Sequence, residues 1–277
     1  MIKIVALDLD GTTLTSDKRL SARTQKALET AIAQGVHVVA ATGRTLAALP
    51  KEILKINGLK YALTSNGACI NDLQSGELIY TNCIAPETLV KATELIQKHA
   101  YIYDYMVEAF SEGKAYMETR HYHHVHSYGL GKSHVDYIVE TRTPVTDLFG
   151  FMLEHKNTIE NININFTGTA DKAAMWPVVR QLEGVSLTSS FEHNIEIGGA
   201  TTSKAEAISQ LCRILGCDMS EVMACGDSPN DMPMLEAAGT AVAMGNAKDE
   251  LKSIATYIAP TNDEDGVAVA MEKFVVK

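Results

Sequence analysis

Ile4-Val5-Ala6-Leu7-Asp8-Leu9-Asp10-Gly11-Thr12 is an apolar run that ends in two acids and a glycine. Such a run reads as a buried strand whose carboxyl end enters a loop. The figure recurs twice: Val36-His37-Val38-Val39-Ala40-Ala41 leads into Thr42-Gly43-Arg44, and Val222-Met223-Ala224-Cys225 leads into Gly226-Asp227-Ser228-Pro229-Asn230-Asp231. Between the first two runs, residues 21–34 carry Ala27, Leu28, Ala31 and Ile32 on one helical face, with Gly35 as a stop. Continuous apolar strands alternating with helices predict a parallel α/β sheet covered on both faces. Open sheets of that kind bind ligands at the carboxyl ends of their strands.

Residues 61–64 read as a third strand, and residues 68–71 and 78–81 as a hairpin around Gln74-Ser75-Gly76. The rhythm breaks after Cys83. Helices are expected over 86–99 and 170–182, with strand-like pieces over 101–107 and 115–118. The alternation Asn161-Ile162-Asn163-Ile164-Asn165-Phe166 predicts an antiparallel sheet with one wet face. The βα rhythm resumes with a strand at 194–197, a helix at 203–215, the strand at 222–225, a helix at 229–237, a strand at 241–243 and a last helix ending at 274. The expected architecture is a Rossmann-like α/β core from residues 1–82 and 190–277. An α+β domain over 83–189 is inserted in it, hinged near 81–86 and 184–192.

A chain of 277 residues has room for one or two domains and a core that needs no disulfide. With 46% apolar and 21% charged residues, whole-chain disorder is excluded. Lys plus Arg number 24 against 34 Asp plus Glu, a net charge of −10, and no basic run gathers the cations. Nucleic acid is therefore a poor partner. The five cysteines contain no C-x-x-C pair, which suits reduced thiols. No apolar stretch approaches membrane length, and too few apolar residues follow Lys3 for a signal core. A cytoplasmic protein without membrane partners is expected.

The acids mark the chemistry. At strand spacing Asp8 and Asp10 share a direction, so two carboxylates would face one place, where they repel unless a cation relieves them. Ser228, Pro229 and Asp231 also fit a helix start, as cap, first position and capping box, but that leaves Asp227 unexplained. Acids at two strand ends without Cys/His pairs suit a hard cation such as Mg²⁺. Ser203 and Glu206 form a capping box that puts Lys204 in the first helical turn, against the helix dipole. That position makes sense if Lys204 faces carboxylates and a bound anion. Thr42 and Gly43, where a strand enters a helix, offer an anion seat or an ordinary N-cap.

Taken together, these segments resemble the haloacid dehalogenase superfamily, and closely its Cof-type phosphatase branch with a type-2 cap. Asp8-Leu9-Asp10-Gly11-Thr12 matches the family's nucleophile motif, Thr42 its phosphate-binding hydroxyl, Lys204 its lysine, and residues 226–231 its acidic motif. Ser65-Asn66-Gly67-Ala68, residues 241–247 and residues 264–268 add to the likeness; Ala205 departs from the glycine that usually follows the lysine. The resemblance implies a phosphatase for small phosphorylated metabolites, with Asp8 as nucleophile and Asp10 as acid and base. It implies Mg²⁺ held by Asp8, the Asp10 carbonyl and Asp227, with Asp231 near the ion's water shell. Thr42, Gly43, Lys204 and Asn230 would hold phosphate, and Arg44 and Asn66 would reach the leaving group. A phosphomutase, or a phospho-acceptor signalling module, would share part of this set.

His121, His123, His124 and His126, with His134 nearby, invite a transition-metal reading. They lack a helix-spaced pair with a carboxylate, so a solvated loop or a contact surface for an anionic substrate fits better. Trp176 lies in a helix pattern, where a core role is expected.

Overall fold

A computed structural model of the chain describes residues 1–99, 105–128 and 131–276. In chain order its strands are β1 (Ile4–Leu7), β2 (His37–Ala41), β3 (Tyr61–Thr64), β4 (Cys69–Asp72), β5 (Leu78–Thr81), β6 (Tyr105–Ser111), β7 (Lys114–Glu118), β8 (Arg142–Val145), β9 (Ile159–Phe166), β10 (Val185–Thr188), β11 (Asn194–Gly199), β12 (Val222–Gly226), β13 (Thr240–Ala243) and β14 (Tyr257–Ile258). They form two sheets, and the chain divides into two compact units. One comprises Met1–Arg44, Leu49–Thr81 and Ser203–Lys277; the other comprises Thr45–Ala48 and Asn82–Thr202.

The first unit is built on an eight-stranded sheet in the order β14-β13-β12-β1-β2-β3-β4-β5. From β14 to β3 every pairing is parallel; β3–β4 and β4–β5 are antiparallel, the latter being the expected hairpin. All four residues of β1 are buried, as its unbroken apolar run requires of a strand covered on both faces. Leu7 lies opposite Ala40 of β2 and Cys225 of β12. The parallel register therefore releases the loops that begin at Asp8, Thr42 and Asp227 from one edge of the sheet.

Helix Ala22–Ala33 starts at Ser21, whose hydroxyl caps the Thr24 amide, and packs against the last helix, Gly266–Phe274. The stretch after Thr42 and Gly43, where a strand is expected to enter a helix, is broken. A 3₁₀ turn, Leu46–Ala48, precedes a short helix, Lys51–Leu54, because Pro50 between them has no N–H to continue a helix. No helix among the described residues is long and apolar enough to cross a membrane.

The second unit carries a six-stranded sheet in the order β10-β11-β9-β6-β7-β8, antiparallel except for β7–β8. One face places Val107, Ala109, Ile162, Ile164, Ile195 and Ile197 against Leu89, Ile96, Met152, Met175 and Val179. Trp176 packs at the edge of that core. Of the strand expected over 101–107, residues 101–104 lie outside the described residues, and β6 begins at Tyr105.

The structure departs from three expectations. The strand at 194–197 does not resume the first unit's βα rhythm: β11 pairs antiparallel with β9 and β10. Its own alternation, Asn194-Ile195-Glu196-Ile197, has the period of such a sheet and not the continuous apolar run of a parallel strand. The second half of the first unit begins at Ser203, not at residue 190. Nor is the polar face of β9 wet, since Asn161, Asn163 and Asn165 are buried.

Burial of Asn163 and Asn165 is tolerated because both donate to the Glu108 carboxylate, whereas Asn161 Oδ1 is buried without a partner among the described residues. Arg142 donates to Glu108 at 2.6 and 3.2 Å, and Asn163 Nδ2 donates to Glu108 Oε2 at 2.8 Å. Burial would raise the Glu108 carboxyl, but the charge and hydrogen bonds of Arg142, with those of Asn163 and Asn165, hold it below its ordinary range. Arg142→Met should leave this carboxylate buried without its cation and cost about 3–5 kcal/mol in urea denaturation. Glu108→Gln in the same chain should recover much of that loss; an equal loss in the double variant would show that the charge pair is not what the site depends on.

Candidate active site

Lys204 anchors the site, and its place is set by backbone contacts. Ser203 caps helix Lys204–Leu215, accepting from the Glu206 amide at 3.1 Å. Gly67, at φ +92°, lies so close to Ser203 that a Cβ there would sit 2.2 Å from its carbonyl oxygen. Only glycine allows this approach. The first helical residue then points inward: Lys204 is 0% exposed. Its Nζ donates to Asp8 Oδ1 and to Asp231 Oδ1, both at 2.6 Å.

The carboxylates differ in what they have left to offer. Asp231 Oδ2 accepts from the amides of Asp227 (2.9 Å) and Ser228 (3.0 Å), so both its oxygens are engaged. It holds Lys204 and the turn of its own loop. Asp8 is bonded only through Oδ1, and its Oδ2 accepts no hydrogen bond among the described residues. Asp227 accepts from Thr12 Oγ1 (2.7 Å) and Ser228 Oγ (3.1 Å), and it lies against Gly11, where a Cβ would fall 2.6 Å from Oδ2.

Asp8, Asp227 and Asp231 bring oxygens within 4.8 Å of one another and form the one candidate metal group among the described residues. Burial and the charges of Asp231 and Asp227 push Asp8 well above the ordinary carboxylate range, although Lys204 opposes them. Burial and the Asp231 charge push Asp227 up to about 6. For Lys204, burial is outweighed by Asp231 and Asp8, which hold the ammonium above its ordinary range. Three carboxylates against one ammonium leave surplus negative charge on an all-oxygen donor set. A hard divalent cation such as Mg²⁺ fits this chemistry.

Asp10 does not join the group, contrary to the shared direction expected at spacing two. Leu9 already begins the turn, so strand alternation ends at Asp8. Arg44 donates to both Asp10 oxygens (2.7 and 2.8 Å) and Lys18 to one (2.8 Å). Burial is outweighed by these cations, which hold the Asp10 carboxyl well below its usual range. Lys18, in the left-handed region at φ +59°, had no sequence signal to mark it.

The remaining expected residues gather beside Thr42. Its hydroxyl accepts from the Arg44 amide at 3.1 Å in a local turn, with no helix starting there for it to cap, and the residue itself is buried. The amides of Ser65 and Asn66 donate to the carbonyls of Arg44 and Thr42, which ties the two loops together. Asn66 Oδ1 accepts from Asn230 Nδ2 at 3.0 Å, and a Cβ on Gly43 would stand 3.1 Å from it. Asn230 Oδ1 is buried without a partner among the described residues. Among the described residues the histidine tract forms no metal group: His121 is half-buried near Glu118, while His123, His124 and His126 are exposed. The side chain of His134 lies outside the described residues.

The raised Asp227 carboxyl sets a direction for stability. Its neutral form favours the fold, so that contribution is full below pH 3.8 and is lost as pH rises through about 6. In EDTA at pH 8, Asp227→Asn should stabilise the protein by about 1–3 kcal/mol. The gain should shrink on acidification through pH 6. Thermal denaturation at several pH values checks this; a destabilised variant at pH 8 would contradict it.

The family model described as haloacid dehalogenase-like hydrolase matches residues 5–271. Phosphatase YwpJ of Bacillus subtilis is 31% identical over 298 residues, covering 98% of this chain and 99% of its own. 5-Amino-6-(5-phospho-D-ribitylamino)uracil phosphatase YcsE of the same organism is 31% identical, over 99% of this chain and 96% of its own. The solved structure of a haloacid dehalogenase-like hydrolase from B. subtilis superposes with a TM-score of 0.86 at 29% identity, over 99% of this chain and 100% of that one. The chain belongs to the haloacid dehalogenase-like hydrolases, in their Cof-type phosphatase branch.

Proposed function

We propose that the protein is a Mg²⁺-dependent phosphatase that hydrolyses small phosphomonoesters, sugar phosphates or similar metabolites, through an aspartyl-phosphate on Asp8. The observation that carries this reading is the one-sided grip on Asp8: Lys204 fixes Oδ1 and leaves Oδ2 to attack. Asp8 Oδ2 bonds to phosphorus as the ester P–O bond breaks, and the alcohol oxygen takes a proton from Asp10. Asp10 then removes a proton from the water that cleaves the acyl-phosphate. Asp8, the Asp10 carbonyl and Asp227 would hold Mg²⁺, which supplies positive charge for the transferring group. Thr42, the Gly43 amide, Lys204 and Asn230 balance the phosphoryl oxygens, since this chemistry is mostly positioning and charge stabilisation.

Arg44 and Lys18 hold Asp10 ionised, which suits the base step and opposes the acid step. An anionic ester gives Arg44 another partner, and Asp10 can carry the proton once Arg44 lets go. Asn66 would meet the leaving group with Arg44. The inserted unit is proposed to select among esters. A relative named for 5-amino-6-(5-phospho-D-ribitylamino)uracil supports a small phosphorylated substrate. The presence of Asp10 beside Asp8 favours turnover over a phospho-acceptor module, and release of inorganic phosphate separates hydrolysis from a phosphomutase.

Single-turnover kinetics of Asp10→Asn test the assignment. The loss expected for an acid is about 10²–10⁴-fold. It should fall on transfer from a sugar phosphate far more than from p-nitrophenyl phosphate, whose leaving group needs no proton. Protein-bound phosphate should accumulate with the aryl ester. Equal slowing with both esters would show that Asp10 acts through structure alone.

A further inference from the structure

Residues 241–247 and 262–266 take no part in the chemistry above, yet they grip the loop that carries it. Asn246 Nδ2 donates to the Gly11 carbonyl at 2.8 Å, and its Oδ1 accepts from the Asn262 amide at 3.1 Å. Turning that amide over would set oxygen against oxygen at Gly11 and N–H against N–H at Asn262, so its orientation is fixed. Asn262 Nδ2 donates to the Leu14 carbonyl at 2.9 Å. Asp263 accepts from the amide (2.8 Å) and hydroxyl (2.7 Å) of Ser16. Gly245 allows the two segments to meet, since a Cβ there would be 2.9 Å from the Thr261 nitrogen.

The same strap holds the second acidic loop. The Met244 amide donates to the Gly226 carbonyl at 3.1 Å, and the Lys248 amide to the Asp227 carbonyl at 3.3 Å. Between these two points, Asn246 takes hold of Gly11. The strap thus spans the two loops whose groups would ligate the cation, and it does so at the point where Gly11 and Thr12 form a wall against the Asp227 carboxylate.

We infer that Asn246 is a positioning residue for the cation: by fixing the Gly11 peptide relative to Asp227, it sets the spacing of the Mg²⁺ ligands. This rests on the Mg²⁺ reading above. Asn246 is exposed, so replacing it opens no cavity. Asn246→Ala and Asn246→Asp both remove the donor to Gly11, and only the second adds negative charge.

Titration calorimetry of the purified protein with MgCl₂ alone reads the effect, beside thermal denaturation in EDTA. Both variants should bind Mg²⁺ about three- to tenfold more weakly, the scale of one lost hydrogen bond. For Asn246→Asp the loss should occur despite the added charge, while melting in EDTA shifts little. Unchanged Mg²⁺ affinity with a lowered melting temperature would overturn the proposal and leave Asn246 a structural tether. Tighter binding in Asn246→Asp with no loss in Asn246→Ala would also overturn it, in favour of a purely electrostatic effect. Absence of Mg²⁺ binding in the unsubstituted protein would overturn the cation reading itself, and this proposal with it.

Discussion

A lysine ammonium without solvent exposure must be neutralised where it stands, and the first unit is arranged around that demand. Stripping Lys204 of water costs several kcal/mol, which only close opposite charge can offset. Asp8 supplies it from the end of β1, and Asp231 from the loop that follows the neighbouring strand β12. Removing either partner would leave a buried charge half-paired. The ion cluster is therefore a condition that the loops must satisfy together, and it fixes the Asp8 carboxylate in one orientation.

Several otherwise unrelated features serve that arrangement. The in-register pairing of β1 with β2 and β12 brings three loops to one edge. Gly67 lets helix Lys204–Leu215 start close enough for its first side chain to reach the acids. Gly226 performs the same service for Asp231, whose Cβ would lie 2.4 Å from a side chain at that position. Asp231 spends its second oxygen on its own loop. The surplus negative charge that remains falls on Asp8 and Asp227, the two acids with raised pKa values. The proposed affinity for a divalent cation would thus be a consequence of how the lysine is buried.

Much of this arrangement is legible in the amino-acid sequence. Asp8, Asp227 and Lys204 could be found because each breaks a local rule: acids closing apolar strands, and a cation at the positive end of a helix. What stayed hidden depends on long-range geometry. The divergence of Asp10 from Asp8 follows from a turn beginning at Leu9, which a period-two reading overruns. Lys18 sits in an exposed loop with nothing in its neighbourhood to single it out. The polar face of β9 looked wet because alternation reports which residues share a face, not what pairs with them. Only the placement of Glu108 and Arg142 beside Asn163 and Asn165 shows why those two asparagines can be buried. The assignment of β11 was recoverable, because its alternation matches that of β9.

The central claim is that Asp8, held by Lys204 at one oxygen, is the atom-level acceptor of the phosphoryl group. It is tested most directly by acid-quenching the protein during turnover of a phosphomonoester, reducing the trapped acyl-phosphate with borohydride, and locating the reduced residue by peptide mass spectrometry. The account predicts modification at Asp8 and at no other acid. Modification at Asp10 or Asp227, or phosphate release without any trapped protein adduct under conditions where the Asp10→Asn protein also yields none, would contradict it.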